Sequence, residues 1–213
     1  MRAAIFTQPN TPFQVETVSL QDPQHGEVMV KMVASGVCHS DLSVQRGVIP
    51  MQPPIIIGHE GAGIVEAVGP GVTHVAPGDH VVLTWLYSCG QCRDCGRGRP
   101  HLCDKAAVTA GSAAMRDGTT RFSWEGQALH HWCGSFAEYT VVPQEAVIQV
   151  HPDIPLEAAC LVGCGVMTGF GAVLNTARVE AGDSVVVIGC GGVGLNVIPV
   201  SYTHLTLPTN GCG

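Results

Sequence analysis

Apolar and polar residues alternate in short runs through the first 150 positions, a period of two that is typical of β-strands. Turn-forming glycine, proline and aspartate residues separate these runs. The pattern predicts strands over four segments: 28–33, 62–68, 80–83 and 136–142. A polar, glycine-containing stretch over 109–132 predicts a long loop, either a lid over a pocket or a mobile surface insertion. We therefore expect a small β-barrel over residues 1–152.

The pattern changes near His151 and Pro152. Small apolar residues over 155–176 predict a buried helix, and the continuous run SVVVI over 184–188 predicts a buried parallel strand. A glycine-rich turn and a possible helix follow this run. We interpret residues 153–199 as the beginning of an α/β domain.

Composition narrows the choice of partners and compartment. The 213-residue chain has a net charge of −7 and only ten Lys plus Arg residues, which argues against a nucleic-acid or anionic-membrane partner. Its first residues lack the charged start and apolar stretch that a signal peptide would show, and no apolar run reaches the ~18 residues of a membrane helix. Ten cysteines without a secretion signal favour metal binding or catalysis over disulfides. We expect a cytoplasmic protein.

Four cysteines with the spacing C-x2-C-x2-C-x7-C form the strongest motif: Cys89, Cys92, Cys95 and Cys103. Thiolates at this spacing can surround one ion within a short loop, and an all-cysteine tetrahedral site suits structural zinc. A redox cysteine pair, an iron–sulfur cluster and two disulfides are the alternatives. A redox pair is expected beside a β-α-β unit, whereas this segment is rich in glycine.

A second motif, G-x-G-x-x-G, is formed by Gly189, Gly191 and Gly194, with Gly192 and Val193 completing the loop. After an apolar strand and before a helix, it predicts dinucleotide binding. The glycines allow a tight turn, close approach of the pyrophosphate, and packing of the helix on the strand. A generic glycine-rich turn is the alternative. No acidic residue about 20 positions further on can be assigned to a second strand, so NAD and NADP both remain open.

A third set joins Cys38, His59 and Cys164. Two cysteines and one histidine with an open position are typical of catalytic zinc. Taken singly, a cysteine in a small apolar helix is usually a packing residue, and a His-Glu pair such as His59 and Glu60 is usually at the surface. This set becomes specific only through comparison with a family.

Five motifs occur in the order found in one enzyme family: GVCHSD (36–41), GHEGAG (58–63), the four cysteines, GCGVMTGFG (163–171) and GCGGVG (189–194). Over residues 1–198 the chain resembles the zinc-dependent medium-chain alcohol dehydrogenases. The resemblance implies a mixed β and α/β fold, a GroES-like β-barrel catalytic domain followed by an incomplete doubly wound Rossmann domain. It also implies two Zn²⁺ ions per chain, one catalytic and one structural, and NAD or NADP.

The resemblance assigns a role to each residue of the predicted site. Cys38, His59 and Cys164 would hold the catalytic zinc. Ser40 would transfer the proton, Asp41 would orient His59, and Glu60 would be a close acidic neighbour of the metal. His39 would face the cofactor pyrophosphate, and Thr168 would lie against the nicotinamide. Ile49 and Trp85 would line the substrate pocket.

The implied chemistry is reversible oxidation of a small-molecule alcohol, in which zinc acidifies the alcohol and the nicotinamide accepts hydride. Ser43 stands where many members have a histidine at the outer end of the proton relay. Ile49 and Ala107 stand near positions where members acting on glutathione–formaldehyde adducts have an acidic residue and an arginine. That substrate is therefore not expected, and an apolar pocket with Trp85 and Ile49 favours a primary or aromatic alcohol. The alternatives are a non-catalytic zinc-stabilised module and a formaldehyde dehydrogenase using another thiol carrier.

The last segment departs from the family. Pro199 falls where a helix interior is expected, and VSYTHLTLPT reads like a translated sequencing adapter. We interpret residues 200–213 as a non-native read-through tail and expect the 213-residue chain to be inactive by itself. Family members are often dimers or tetramers, so a homo-oligomer is expected for the full-length parent.

Overall fold

The computed structural model describes residues 1–203, which form two compact units, Met1–Gly163 and the chain from Cys164 onward. The predicted domain limits, 1–152 and 153–199, stay predictions. The predicted tail over 200–213 lies mostly outside the described residues, and its origin also stays a prediction.

The first unit is built from two β-sheets. In chain order the described strands are β1 Arg2–Phe6, β2 Gln14–Thr17, β3 Ser19–Leu20, β4 Glu27–Gly36, β5 Ile55–Ile56, β6 Glu60–Val68, β7 His80–Leu83, β8 Phe122–Trp124, β9 Gln127–His131, β10 Tyr139–Pro143 and β11 Val147–Gln149. One sheet has the order β2-β1-β5-β9-β8-β3, and the other has the order β10-β4-β6-β7-β11. All pairs are antiparallel except β5 with β9.

Helices are short. The described α-helices are α1 His39–Gln45, α2 Arg93–Gly96, α3 Asp104–Ser112, α4 Leu156–Ala159, α5 Gly165–Gly171 and α6 Gly192–Thr203. Single turns of 3-10 helix cover Pro100–Leu102, Gln144–Ala146 and Cys160–Gly163, and a π-helical turn covers Ala172–Ala177.

Periodicity located the central sheet correctly. The strands predicted over 28–33, 62–68 and 80–83 are confirmed as β4, β6 and β7. Their inward residues, among them Val28, Val30 and Leu83, form one buried cluster with the four-cysteine segment. The strand predicted over 136–142 begins later, at Tyr139. Phe136 lies before this strand and packs edge-on against Phe13 instead.

The predicted loop over 109–132 was wrong, because this stretch contains the end of α3 and the hairpin of β8 and β9. Phe122 and Leu129 face each other across that hairpin, and both are buried. The residues between them mix polar and apolar types around the turn at Glu125 and Gly126, so the sequence shows no apolar run there. These strands are stabilised by packing against neighbouring segments.

Two predictions near the end of the chain also need correction. The helix expected over 155–176 is divided into α4, a 3-10 turn, α5 and a π-helical turn, since glycines at 163, 165, 169 and 171 weaken a continuous helix. The strand expected over 184–188 is not formed, and Val186 and Ile188 are exposed. A strand needs a neighbour for its backbone hydrogen bonds, and the described residues supply none to this segment.

No single helix among the described residues is both long and apolar enough to cross a membrane. The two helical segments Leu156–Gly163 and Gly165–Ala177, which are bent relative to each other, are long and apolar enough only when they are counted as one. This match rests on their length and composition alone.

Candidate metal centres

The antiparallel ladder of β4 and β6 brings the first set of candidate ligands together. Gly36, the last residue of β4, is paired with Glu60, the first residue of β6. Cys38 follows β4 by two residues, and His59 directly precedes β6. As a result, ligand atoms of Cys38, His59 and Glu60 lie within 4.8 Å of one another. Sulfur, imidazole nitrogen and carboxylate at this spacing can hold a zinc ion.

Asp41 connects these ligands from the first turn of α1. Its Oδ2 accepts a 2.9 Å hydrogen bond from the backbone N–H of Cys38, which begins the helix. Its Oδ1 lies 3.3 Å from Nδ1 of His59, and both side chains are only 1% exposed. A buried carboxylate this close to a ring nitrogen helps to orient a ligand histidine. This geometry fits the predicted role of Asp41.

The Cys38 thiol is prepared to ionise. Burial raises its pKa, but hydrogen bonds with the backbone and hydroxyl of Ser40 and the nearness of His59 outweigh burial, so the pKa lies below its ordinary value. Sγ of Cys38 lies 3.6 Å from Oγ of Ser40. A thiolate is the form of cysteine that binds metal.

His39 and Ser43 lie one turn apart on α1. Nδ1 of the exposed His39 is 3.4 Å from Oγ of Ser43. The residue that replaces the expected histidine therefore contacts another imidazole. The predicted role of His39 at the cofactor pyrophosphate stays a prediction.

An aromatic wall borders His59. The ring of Trp132 stacks on His59 with centroids 4.5 Å apart, and Trp85 meets Trp132 edge-on at 5.5 Å. Trp132 follows β9 and donates its backbone N–H to the carbonyl of Ile56 at 2.9 Å. Sequence reasoning named Trp85 and missed Trp132. The signal available was that Trp132 is one of only three tryptophans in the chain.

The predicted pocket residue Ile49 packs against the same apolar cluster. This cluster contains Phe6, Val44, Ile55, Ile57, Ala113 and Trp132 as buried members, with Ile49, Met51 and Trp85 partly buried against it. Ile49 and Trp85 therefore belong to one apolar region, whereas Ala107 lies exposed on α3.

The second centre is the four-cysteine segment. Cys89 and Cys92 precede α2, Cys95 lies within it, and Cys103 is the N-cap residue of α3. All four sulfurs lie within 4.8 Å of one another, and Cys89 and Cys95 are separated by 4.0 Å. The backbone N–H of Cys89 also donates to Sγ of Cys103 at 3.4 Å.

These distances favour one tetrahedral ion. Zinc–sulfur bonds of about 2.3 Å place tetrahedral sulfurs roughly 3.8 Å apart, close to the observed separation. A disulfide requires about 2.05 Å, and all four cysteines are free. The backbone N–H of Gln91 lowers the pKa of Cys89, and those of Cys95 and Asp104 lower the pKa of Cys92. The site therefore fits structural zinc.

The second unit contains the other predicted cofactor residues. Cys164 is the N-cap residue of α5, and its carbonyl accepts the backbone N–H of Thr168 at 2.8 Å. The predicted roles of Cys164 as a third zinc ligand and of Thr168 at the nicotinamide stay predictions.

The glycine motif fits a dinucleotide turn. Gly189 has a φ of +104°, which favours glycine, and a Cβ on Gly194 would overlap the carbonyl oxygen of Gly189. Gly191 and Gly192 have nothing within 4 Å of the position a Cβ would take, so a phosphate can approach the backbone. The helix α6 begins at Gly192 and offers free N–H groups there.

Comparisons with known proteins agree with this geometry. Residues 24–153 match the family model for the alcohol dehydrogenase GroES-like domain. The chain belongs to this family. An S-(hydroxymethyl)glutathione dehydrogenase from Escherichia coli is 46% identical over 200 residues, covering 92% of this chain and 54% of the relative.

Solved structures of the alcohol dehydrogenase family have the same fold. An alcohol dehydrogenase zinc-binding domain protein from Burkholderia ambifaria is 37% identical, with a TM-score of 0.90 over 96% of this chain and 56% of that one. Benzyl alcohol dehydrogenase from Acinetobacter calcoaceticus is 35% identical, with a TM-score of 0.88 over the same shares of both chains. The predicted fold class is confirmed. The chain spans about half the length of the curated relatives it matches.

Proposed function

We propose that this chain supplies the metal-binding catalytic part of a zinc-dependent dehydrogenase that reversibly oxidises an alcohol to an aldehyde or ketone. The observation that supports it best is the buried contact of Asp41 with His59, 3.3 Å apart, beside Cys38. A buried carboxylate that orients a histidine next to a thiol of lowered pKa is typical of a zinc centre.

The proposed ligands are Cys38 and His59, with Cys164 as the predicted third. Zinc bound there supplies a Lewis acid that makes the alcohol proton easier to remove. NAD or NADP, bound at the glycine motif, supplies the hydride acceptor. We assign proton acceptance to Ser40, and the 3.6 Å separation between its hydroxyl and Sγ of Cys38 supports this assignment.

The aromatic wall supports a proposal for the substrate class. Trp85 and Trp132 lie edge to face beside His59, and Ile49 packs on the same cluster. Flat apolar rings such as these favour an aromatic substituent. We therefore assign a primary aromatic alcohol, such as benzyl alcohol, as the substrate.

A thiol–formaldehyde adduct is the second candidate, because the relative from Escherichia coli is named S-(hydroxymethyl)glutathione dehydrogenase. Near Ile49 and Ala107, members that act on glutathione adducts have an acidic residue and an arginine. Ile49 and Ala107 carry no charge that could bind such a carrier. A third candidate, a non-catalytic zinc-stabilised module, needs only the four-cysteine centre. We further propose small-molecule partners alone, assembly as a homo-oligomer, and a cytoplasmic location.

Metal analysis separates the enzyme from the module. We expect two zinc ions per chain, with Cys38→Ser losing one and Cys92→Ser losing the other. A single zinc in the unmodified protein would refute the catalytic proposal. Assays of protein made from the complete gene should show NAD- or NADP-linked oxidation of benzyl alcohol. Faster oxidation of S-(hydroxymethyl)glutathione would instead favour the second candidate.

A further inference from the structure

The side chain of Glu60 is held in a slot that exists because residue 36 is glycine. Gly36 and Glu60 are partners across the β4–β6 ladder. A Cβ built on Gly36 would overlap Oε2 of Glu60 and would lie 2.7 Å from Cδ2 of Leu161. The Glu60 carboxylate therefore occupies the space that a side chain at position 36 would fill.

The surroundings of the slot limit where this carboxylate can go. Glu60 is only 4% exposed. Leu161 closes one side, and the buried Cys160 lies close enough that its pKa is raised first by burial and then by the charge of Glu60. In this position a carboxylate oxygen of Glu60 remains within 4.8 Å of the ligand atoms of Cys38 and His59.

We propose that Gly36 is a positioning residue that acts through Glu60, holding its carboxylate beside the metal bound by Cys38 and His59. This inference rests on the proposed function. A negative charge at this distance stabilises a divalent cation, and neighbours of this kind commonly change metal affinity by about 10–100-fold. Displacing the carboxylate should therefore weaken the metal site while Cys38 and His59 stay in place.

Gly36→Ala is a suitable perturbation. The φ of Gly36 lies outside the left-handed region, and the two nearest overlapping atoms belong to the ends of the Glu60 and Leu161 side chains, which can move. We expect the variant to fold with Glu60 displaced. Gly111→Ala is a matched control, because a Cβ there meets nothing within 4 Å.

The test is a double-mutant cycle on metal affinity. The proteins are loaded with ¹¹³Cd²⁺, whose NMR resonance separates an all-sulfur site from a mixed site, and are titrated with a chelator. Gly36→Ala and Glu60→Ala should each weaken the mixed site about tenfold. The double variant should be no weaker than Glu60→Ala alone, and Gly111→Ala should match the unmodified protein.

The outcomes distinguish this inference from the proposed function. Unchanged affinity in either single variant, or additive effects in the double variant, would overturn the role of Gly36 and leave the proposed function standing. An unmodified protein that shows only the all-sulfur resonance would overturn both. The inference would also be overturned if Gly36→Ala misfolded while the single variant Glu60→Ala folded. In that case the added methyl group would disturb strand β4 itself and not only the position of the Glu60 side chain.

Discussion

His131 makes stability depend on pH through its burial. It lies at the end of β9, is 5% exposed, and its Nε2 is 3.0 Å from the carbonyl of Val141. Its Nδ1 is 3.3 Å from Oγ1 of Thr120, and the ring of Phe122 packs edge-on against it. Burial lowers the pKa of His131 to about 4 from an ordinary value of 6.5. The folded protein therefore keeps this imidazole neutral where the unfolded chain would bind a proton.

The sign and size of the effect follow from linkage. Because the pKa is lowered on folding, the unfolded state binds more protons between about pH 6.5 and pH 4, so stability is lost as the pH falls through that range. With the two pKa values above, the free energy of unfolding should fall by about 2 kcal/mol between pH 7 and pH 5 through this residue.

Replacing His131 with an uncharged amide isolates its contribution to the pH dependence of stability. His131→Gln removes the titration, and its amide can still donate to Val141. Urea unfolding of the unmodified protein and of His131→Gln is measured in zinc-containing buffer at pH 7 and at pH 5. Any loss of zinc at the lower pH affects the two proteins alike, so it cancels in the comparison. We expect the unmodified protein to lose about 2 kcal/mol more than the variant. His151→Gln, at an exposed position, serves as a control.

Equal pH dependence in His131→Gln and the unmodified protein would refute this reasoning. So would an NMR titration in which the His131 ring gains its proton near pH 6.5 in the folded state.

Three further predictions concern stability and metal content. Arg121, 2% exposed, donates to both carboxylate oxygens of Glu27. Arg121→Met should therefore lower the free energy of unfolding by about 3–5 kcal/mol, measured with urea, and adding Glu27→Gln should recover part of this loss. Equal stability of Arg121→Met and the unmodified protein would contradict the prediction that breaking this buried pair is costly. Cys103→Ser should reduce the zinc content from two ions per chain to one, and unchanged metal analysis would contradict the four-cysteine site. A Cβ on Gly63 would overlap a backbone carbonyl of the adjacent strand, so Gly63→Ala should lower the free energy of unfolding by about 1–3 kcal/mol. Gly111→Ala in α3 should instead raise it by up to about 1 kcal/mol, because alanine favours a helix over glycine. Urea unfolding that ranks the two variants in the reverse order would contradict this prediction.

Features that depend on neighbours along the chain were predictable from the sequence alone. The four cysteines lie within fifteen positions, so their spacing nearly determines that their sulfurs can meet. The period-two pattern located β4, β6 and β7, because alternation reports which face of a strand is buried. The turn at Gly189 followed from its motif for the same local reason.

Only the tertiary structure decided which distant residues meet. The register of β4 against β6 places Glu60 over Gly36, and the path of β9 brings Trp132 onto His59. β8 and β9 were missed because their stability comes from partners elsewhere in the sheet. The apolar run over 184–188 showed the opposite error, since β-branched composition is only a preference and a strand also needs a hydrogen-bonding neighbour. Composition and spacing therefore determined the chemistry available to this chain, while strand register determined its geometry, because a shift of one residue turns every side chain to the other face.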